Sequence, residues 1–326
     1  MTPTQVGPAA TAGAEPAVVI DGLTCHFGDV RAVDGVDLTI PSGGICGLLG
    51  PDGAGKSTLI RMLATVQRAT AGDARVFGES VGHAPGRVTP RLGYMSQKFS
   101  MYPDLTVAEN IDFFATLRGV PADRRRHRAR ALLASMGLDE FGTRHAANLS
   151  GGMKQKLMLA TTLMHEPDLL LLDEPTTGVD PVSRREFWRI LAELHRAGKT
   201  VLVATPYMDE AERCTQVVFL DAGTIRQQGS PDEIKAMIPG VLLEVAATEP
   251  RAALALVRTL PGVLGSHLYG DVVRVLVDAA PADAAAVVAG PLAGAGIGAT
   301  VRAVAVDMET AFAFLAEVEN AAGVAR

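Results

Sequence analysis

The chain has 326 residues, enough for two domains at about 100–200 residues each, and 48% of them are apolar, ample for a buried core. A formal net charge of −6 argues against a nucleic-acid partner, which selects a basic face, while leaving a local basic patch open. Three cysteines, Cys25, Cys46 and Cys214, fit no metal-ligand spacing, and their odd number suits a reducing compartment.

Residues 1–16 are rich in Ala, Pro, Gly and Thr and lack both a basic start and an apolar run, so they read as a disordered tail and not as a signal peptide. Short strands are expected over Ala17–Asp21 and Val36–Ile40. A turn at Pro41-Ser42-Gly43-Gly44 leads to a buried strand, Ile45–Leu49, then a glycine-rich loop and a helix from about Lys56. From Asn110 to about His145 the pattern is helical. The arginines between Asp123 and Arg130 read first as a solvated helix face and second as a phosphate or partner contact.

Leu169–Leu172, bounded by Pro167 and Pro175, is a fully buried strand, and Val201–Ala204 is another. Val217–Leu220, the turn Asp221-Ala222-Gly223 and Thr224–Gln228 form a hairpin. Ser230 then caps a helix that has Pro231 at its first position. After Gly240 the composition shifts. Strands at Leu242–Ala246, Val263–Leu268, Val272–Val277 and Thr300–Val306, with helices at Arg251–Leu260 and Ala282–Leu292, give the order β-α-β-β-α-β of a ferredoxin-like domain over 241–326. The uncharged stretch Ala284–Val301 is mostly Ala and Gly with Pro291, too weakly hydrophobic for a membrane span, so a helix plus a turn is expected there.

Three motifs carry chemistry. Gly50-Pro51-Asp52-Gly53-Ala54-Gly55-Lys56-Ser57 fits the phosphate-loop pattern between a strand and a helix. Glycines let backbone N–H groups turn inward around phosphates, and the helix N-terminus adds positive partial charge. Lys56 is placed to reach the β and γ phosphates and Ser57 to hold Mg²⁺. The buried run of leucines ends in Asp173-Glu174, which aims carboxylates at the strand's C-terminal edge, Asp173 toward Mg²⁺ and Glu174 toward the attacking water. Leu149-Ser150-Gly151-Gly152-Met153 opens a helix with a capping serine and open amides, a second anion site. One nucleotide needs one phosphate loop, so two phosphate-binding elements imply a head-to-tail dimer, each ATP lying between the loop of one subunit and Ser150 of the other.

On these motifs the chain resembles the ABC ATPase family over about residues 17–240. The resemblance implies an α/β P-loop NTPase core with a helical subdomain over about 98–160, a small C-terminal α+β domain, and ATP with Mg²⁺ as ligands. It implies that Phe27, followed by Gly28, stacks on adenine and that Thr58 joins residues 50–57 in binding the nucleotide. Gln97, in Met95-Ser96-Gln97, joins Lys56 and Glu174 in the catalytic set, and Ser57, Gln97 and Asp173 hold the metal. Ser150, Gly151 and Gly152 serve the ATP of the partner subunit, and Gly178-Val179-Asp180 lies in the loop that crosses the dimer interface. Residues from Lys98 to Leu105 and the following helix are the surface that docks on a membrane subunit, which places the chain in the cytoplasm on the inner face of the membrane. The C-terminal part, with Val306-Asp307-Met308-Glu309-Thr310-Ala311-Phe312, looks like the tail of drug- and polysaccharide-type export ATPases that pair with ABC-2 permeases.

The chain departs from the family pattern twice. Met153 stands where glutamine is usual. In Ala204-Thr205-Pro206-Tyr207-Met208-Asp209-Glu210-Ala211-Glu212 the switch histidine falls at Pro206, which has neither a side-chain donor nor an N–H. His165 and His195 do not sit at a position to replace it. Two readings stay open: normal activity by another route, or a slow or supporting site. The competing functions are a non-membrane ABC ATPase of translation or DNA repair, and a subunit that only senses ATP. A single ATPase domain and a short helical insert argue against the first, while intact Glu174 and altered Pro206 pull opposite ways on the second.

Overall fold

The computed structural model describes residues 15–278, 280 and 283–315. All of the tail expected over 1–16 except Glu15 and Pro16 lies outside the described residues, as does the chain end after 315. The chain divides into two compact units, Met1–Pro231 and Asp232–Arg326.

In the first unit, β1 (Val18–Phe27) and β2 (Val30–Ile40) form a hairpin, extended on the β1 side by β4 (Ala71–Val76) and β5 (Glu79–Ser80) in the order β2-β1-β4-β5. Both hairpin strands run well beyond the short segments expected from the sequence. Gly22 and Gly35 adopt positive φ, 54° and 62°, and the β1–β2 pairing shifts register between Ile20 and Leu23. The bulge absorbs an extra residue and lets pairing resume, where the sequence alone suggests a stop.

The second sheet has the order β10-β9-β3-β8-β7-β6, built from β3 (Ile45–Leu49), β6 (Leu92–Met95), β7 (Leu169–Asp173), β8 (Thr200–Thr205), β9 (Gln216–Asp221) and β10 (Thr224–Gly229). All pairings but the β9–β10 hairpin are parallel. Every residue of β3, β7 and β8 is buried, as continuous apolar runs in a sheet covered on both faces require. On one face Cys46, Leu48, Leu169, Leu171, Leu202, Ala204, Val218 and Leu220 share a core with Leu59, Ile60, Met62 and Leu63 of α1 (Lys56–Leu63) and with inward residues of the antiparallel sheet. On the other face Gly93 has no side chain, so Thr162 and Leu170 close onto it; a Cβ there would meet them at 2.7 and 2.8 Å. All three cysteines are free and buried, and burial pushes the Cys46 thiol up to about 12.

A short α2 (Pro85–Val88) precedes β6. The expected single helical stretch after Asn110 is two helices, α3 (Val107–Leu117) and α4 (Ala122–Ser135), separated at Gly119 (φ 70°) and Pro121. Thr106 and Glu109 form a reciprocal capping box at the start of α3. In α4, Arg125 pairs with Asp112 and Arg128 with Glu166, while Arg124, Arg126 and Arg130 are exposed. Two arginines of the run therefore tie α4 to its neighbours, a role the solvated-face reading had not assigned. α5 (Gly151–Leu163), α6 (Pro181–Arg196), α7 (Met208–Ala211) and α8 (Pro231–Ala236) follow, the last with Pro231 at its first position.

The second unit runs β11 (Val241–Ala247), α9 (Pro250–Val257), β12 (Val263–Tyr269), β13 (Val272–Val277), α10 (Ala284–Gly294) and β14 (Ala299–Ala303). Its sheet is antiparallel in the order β12-β13-β11-β14. Leu243, Val245, Val273, Val275 and Val277 pack with Ala253, Val257, Val288 and Leu292 from the helices. The uncharged stretch from Ala284 to Val301 divides into α10, a turn with Gly296 at φ 74°, and the start of β14. Among the described residues no helix is long and apolar enough to cross a bilayer.

Leu171 sits at the centre of β7, fully buried. Leu171→Ala is expected to cost about 2–5 kcal/mol of stability. The measurement is the urea midpoint followed by fluorescence of Trp188, the sole tryptophan, which lies in α6 of the same unit.

Candidate active site

The loop from Gly50 to Gly55 leaves β3 and enters α1. Gly50, Gly53 and Gly55 have φ of 146°, 81° and 104°. A Cβ at Gly50 would lie 2.0 Å from the Leu220 carbonyl oxygen, and one at Gly55 2.2 Å from that of Ala32, so backbone and not side chain fills both positions. No side chain caps α1. The opening amides of a helix have no intrahelical partner, so those of Lys56, Ser57 and Thr58 are left open where the loop enters α1, the arrangement by which helix N-termini take anions.

Lys56 is buried and donates from Nζ to the carbonyls of Gly50 (2.8 Å) and Pro51 (3.0 Å), with Glu174 Oε1 at 3.9 Å. An ammonium has three donors, so the loop carbonyls leave one for an acidic oxygen. Ser57 Oγ donates to Asp173 Oδ1 at 2.7 Å across 116 residues of sequence.

Asp173 closes β7 with no exposed surface. Burial pushes its carboxyl above the usual range, opposed by the Ser57 hydrogen bond and the Arg61 charge. Oδ2 is buried and has no hydrogen-bond partner among the described residues. Buried polar atoms ordinarily find partners. A hydroxyl beside an orphaned carboxylate oxygen is the oxygen donor set that Mg²⁺ takes, so Ser57 and Asp173 fit that ion.

Glu174 has φ 51°, in the left-handed region that non-glycine residues seldom occupy. Its amide donates to the Ala204 carbonyl at 3.0 Å. Its Oε2 accepts from Gln97 Nε2 at 2.8 Å and from Thr177 Oγ1 at 3.2 Å. Gln97 reaches it because β6 lies beside β7, with Met95 paired to Leu172, so the segment after β6 leaves the sheet where Glu174 does.

Phe27 is 51% exposed at the end of β1, paired with Val30. Val30 is two residues before Ala32, whose carbonyl crowds Gly55, so the hairpin tip that carries Phe27 adjoins the phosphate loop. Ser150 caps α5, its Oγ accepting from the Met153 amide at 3.3 Å. A Cβ on Gly152 would meet Ser183 at 2.5 Å, so α5 starts close against the 178–183 segment. Among the described residues no hydrogen bond joins Ser150, Gly151 or Gly152 to the phosphate loop. Asp180 caps α6 through the amides of Val182 and Ser183, both at 3.0 Å, and those bonds hold its carboxyl below the usual range.

His165 and His195 lie elsewhere. A ring nitrogen of His165 is 2.7 Å from the carbonyl of Leu92, at the opposite end of β6 from Gln97, and His195 is in the last turn of α6. Sequence reasoning missed the contacts of Thr177, which bonds the Glu174 carboxylate, and those of Thr176, Thr205 and Arg184, which converge on Glu210. The sole sequence signal for them is proximity to Glu174 or Pro206, and it says nothing of contacts spanning tens of residues.

Residues 33–177 match the ABC transporter family. The chain is 42% identical over 275 residues to the probable multidrug ABC transporter ATP-binding protein YbhF of Escherichia coli (strain K12), covering 82% of this chain but 48%, about half, of that relative's length. It is 39% identical over 256 residues to the daunorubicin/doxorubicin resistance ATP-binding protein DrrA of Streptomyces peucetius, covering 78% of each. It is also 39% identical over 224 residues to the Nod factor export ATP-binding protein I of Ralstonia nicotianae, covering 68% of this chain and 70% of that one. Among solved structures, cbiO1 from Clostridium perfringens, part of the ABC transporter complex cbiONQ, superposes with TM-score 0.63 at 26% identity over 68% of this chain and 91% of that chain. The dimeric ATP-binding cassette MJ0796, in a post-hydrolysis state bound to ADP and Pi, superposes with TM-score 0.60 at 25% identity over 65% and 98%. The phosphate loop, the buried carboxylates and these relatives agree, and the chain belongs to the ATP-binding proteins of ABC transporters.

Proposed function

We propose that the chain binds and hydrolyses ATP as one of two paired ATPase subunits and drives export through a separate membrane permease of the ABC-2 class, from the cytoplasmic face. The observation that carries the pairing is the separation of the two anion elements. The phosphate loop and the start of α5 each present open backbone on different elements of the chain, and among the described residues no hydrogen bond joins them. A second subunit supplies the missing half of each site, as the dimeric form of the ATP-binding cassette relative supports. Names given to relatives, for multidrug, daunorubicin and Nod factor export, support the transport reading over translation or DNA repair.

In this reading Gly50–Ser57 and Thr58 cradle the phosphates, Lys56 offers its remaining donor to them, and Phe27 stacks on the base. Ser57 and Asp173, with Gln97, hold Mg²⁺, which when bound neutralises phosphate charge. Glu174, held by Gln97 and Thr177, orients the attacking water. Ser150, Gly151 and Gly152 complete the nucleotide site of the partner subunit. The surface from Lys98 to Leu105 and along α3 docks on the permease; Tyr102, Phe113 and Leu117 are exposed apolar residues there.

Lys56→Ala is expected to abolish tight nucleotide binding, because it removes a charge-assisted contact. Fluorescent-nucleotide titration reads the effect, and an unchanged affinity would sink the phosphate-loop assignment. Glu174→Gln keeps the shape of the side chain and removes the carboxylate. Binding should survive while turnover falls, and size-exclusion chromatography with ATP and Mg²⁺ should show a dimer. A monomer under those conditions would argue against the paired site.

A second reading, a slow or supporting site, rests on Pro206 at the exit of β8. Losing one donor from an organised electrostatic site can cost about 10²–10³ in rate. If that loss limits the chain, Pro206→His should raise ATP turnover at least about tenfold. If wild type already turns over several times per second, on the order of typical enzymes, and Pro206→His changes nothing, another group does the histidine's work.

A further inference from the structure

Behind Glu174 lies a second carboxylate to which the proposed chemistry assigns no task. Glu210, on α7, is 1% exposed. Its Oε1 accepts from Thr176 Oγ1 at 2.9 Å and its Oε2 from Thr205 Oγ1 at 2.6 Å. Both threonines are buried as well. Thr176 belongs to the loop that begins at Glu174, and Thr205 is the last residue of β8, beside Pro206. Thr205 Oγ1 also accepts from the Tyr207 amide at 3.1 Å, so a hydrogen-bond chain runs from Tyr207 through Thr205 to Glu210 and on to Thr176. Arg184 of α6 closes the group. It lies 3.8 Å from Glu210 Oε1, bonds Asp209 at 2.9 Å, and covers the Tyr207 ring at 4.7 Å.

We propose that Glu210 is a positioning residue that locks the Glu174 loop to the Pro206 loop. The inference rests on the ATPase reading above. The physical reason is the cost of leaving a buried carboxylate or hydroxyl unpaired: β7 and β8 pair up to Asp173 and Ala204, with the Glu174 amide on the Ala204 carbonyl, and beyond that last pairing Glu210 is what joins the two segments to each other and to α7. Glu174 occupies a left-handed backbone conformation, which persists only where its surroundings over-determine it. Gln97 and Thr177 hold its carboxylate from the front, and Glu210, through Thr176, anchors the loop from behind. The same carboxylate fixes Thr205 and so the start of the 205–208 turn. Proline at 206 offers no donor of its own, and the polar contacts that hold this turn come from Thr205 and, through it, from Glu210 on α7.

The test compares the full chain with Glu210→Gln, Thr176→Val and Thr205→Val, with Thr205→Ser as the conservative variant. Two quantities are read: hydrogen–deuterium exchange of amides over 174–179 and 205–209, and the steady-state kcat and KM for ATP with Mg²⁺, normalised to the folded fraction from Trp188 fluorescence. The expected result in both valine variants and in Glu210→Gln is exchange faster by about tenfold or more in both segments, with protection in β3 unchanged. It also includes kcat lower by about tenfold or more, with KM within about twofold. Thr205→Ser, which keeps the hydroxyl, should return both quantities to within about twofold of wild type. Both changes together support the lock; either change alone, or neither, overturns it. If wild type shows no ATP turnover, the ATPase reading fails separately, and the lock stands or falls on the exchange result.

Discussion

In a parallel sheet, every strand delivers its C-terminal end to the same edge, and the site hangs on that constraint. β3 releases the phosphate loop there, β6 releases Gln97, β7 ends at Asp173 and β8 at Thr205. Pairing of Met95 with Leu172, Asp173 with Ala204 and Leu49 with Thr205 aligns the four ends. Side chains alternate along a strand, so a slip of one residue in β7 would turn Asp173 away from Ser57 and send Leu171 out of its core. The leucine run that looks like simple core material therefore sets the register of the carboxylates.

The polar groups at this edge are buried, and each must be accounted for. Lys56 has the loop carbonyls, Glu174 has Gln97 and Thr177, and Glu210 has two threonines. Asp173 Oδ2 stands apart in this group as an atom without a partner. Taking polar groups out of water costs free energy unless they are bonded, so a network this dense is held to a single arrangement. The orphaned oxygen marks where an added cation fits, and the glycine loop beside it marks where backbone can approach phosphate.

The second unit solves a separate packing problem by the same rules. Alternate residues of β11 and β13 face α9 and α10 and form its core. The opposite face carries Arg274 and His267, which meet the helical turn over 308–315: Arg274 bonds Asp307 at 2.8 Å and the Phe314 ring lies 4.8 Å from that of His267. Met308, Ala311, Phe312 and Phe314 are buried. A sheet with both faces covered supports a hydrophobic core of its own.

The local chemistry of this protein is legible in short windows of its sequence. Glycine spacing, a lysine and serine at a helix start, an apolar run ending in two acids, and a serine before two glycines each have a meaning set within ten residues, because dihedral freedom, capping and strand burial are local properties. Where those signals were weak the sequence fell short. β4 carries few apolar residues and β6 is only four residues long, so neither announces a strand, and the hairpin strands pass through glycines that read as breaks. Tertiary structure alone decided which groups meet. Ser57 finds Asp173 across 116 residues, Gln97 finds Glu174 across 77, and Thr176 finds Glu210 across 34. Those distances follow from strand order, which is set by how the whole sheet buries its two faces, and no short window of sequence contains that information.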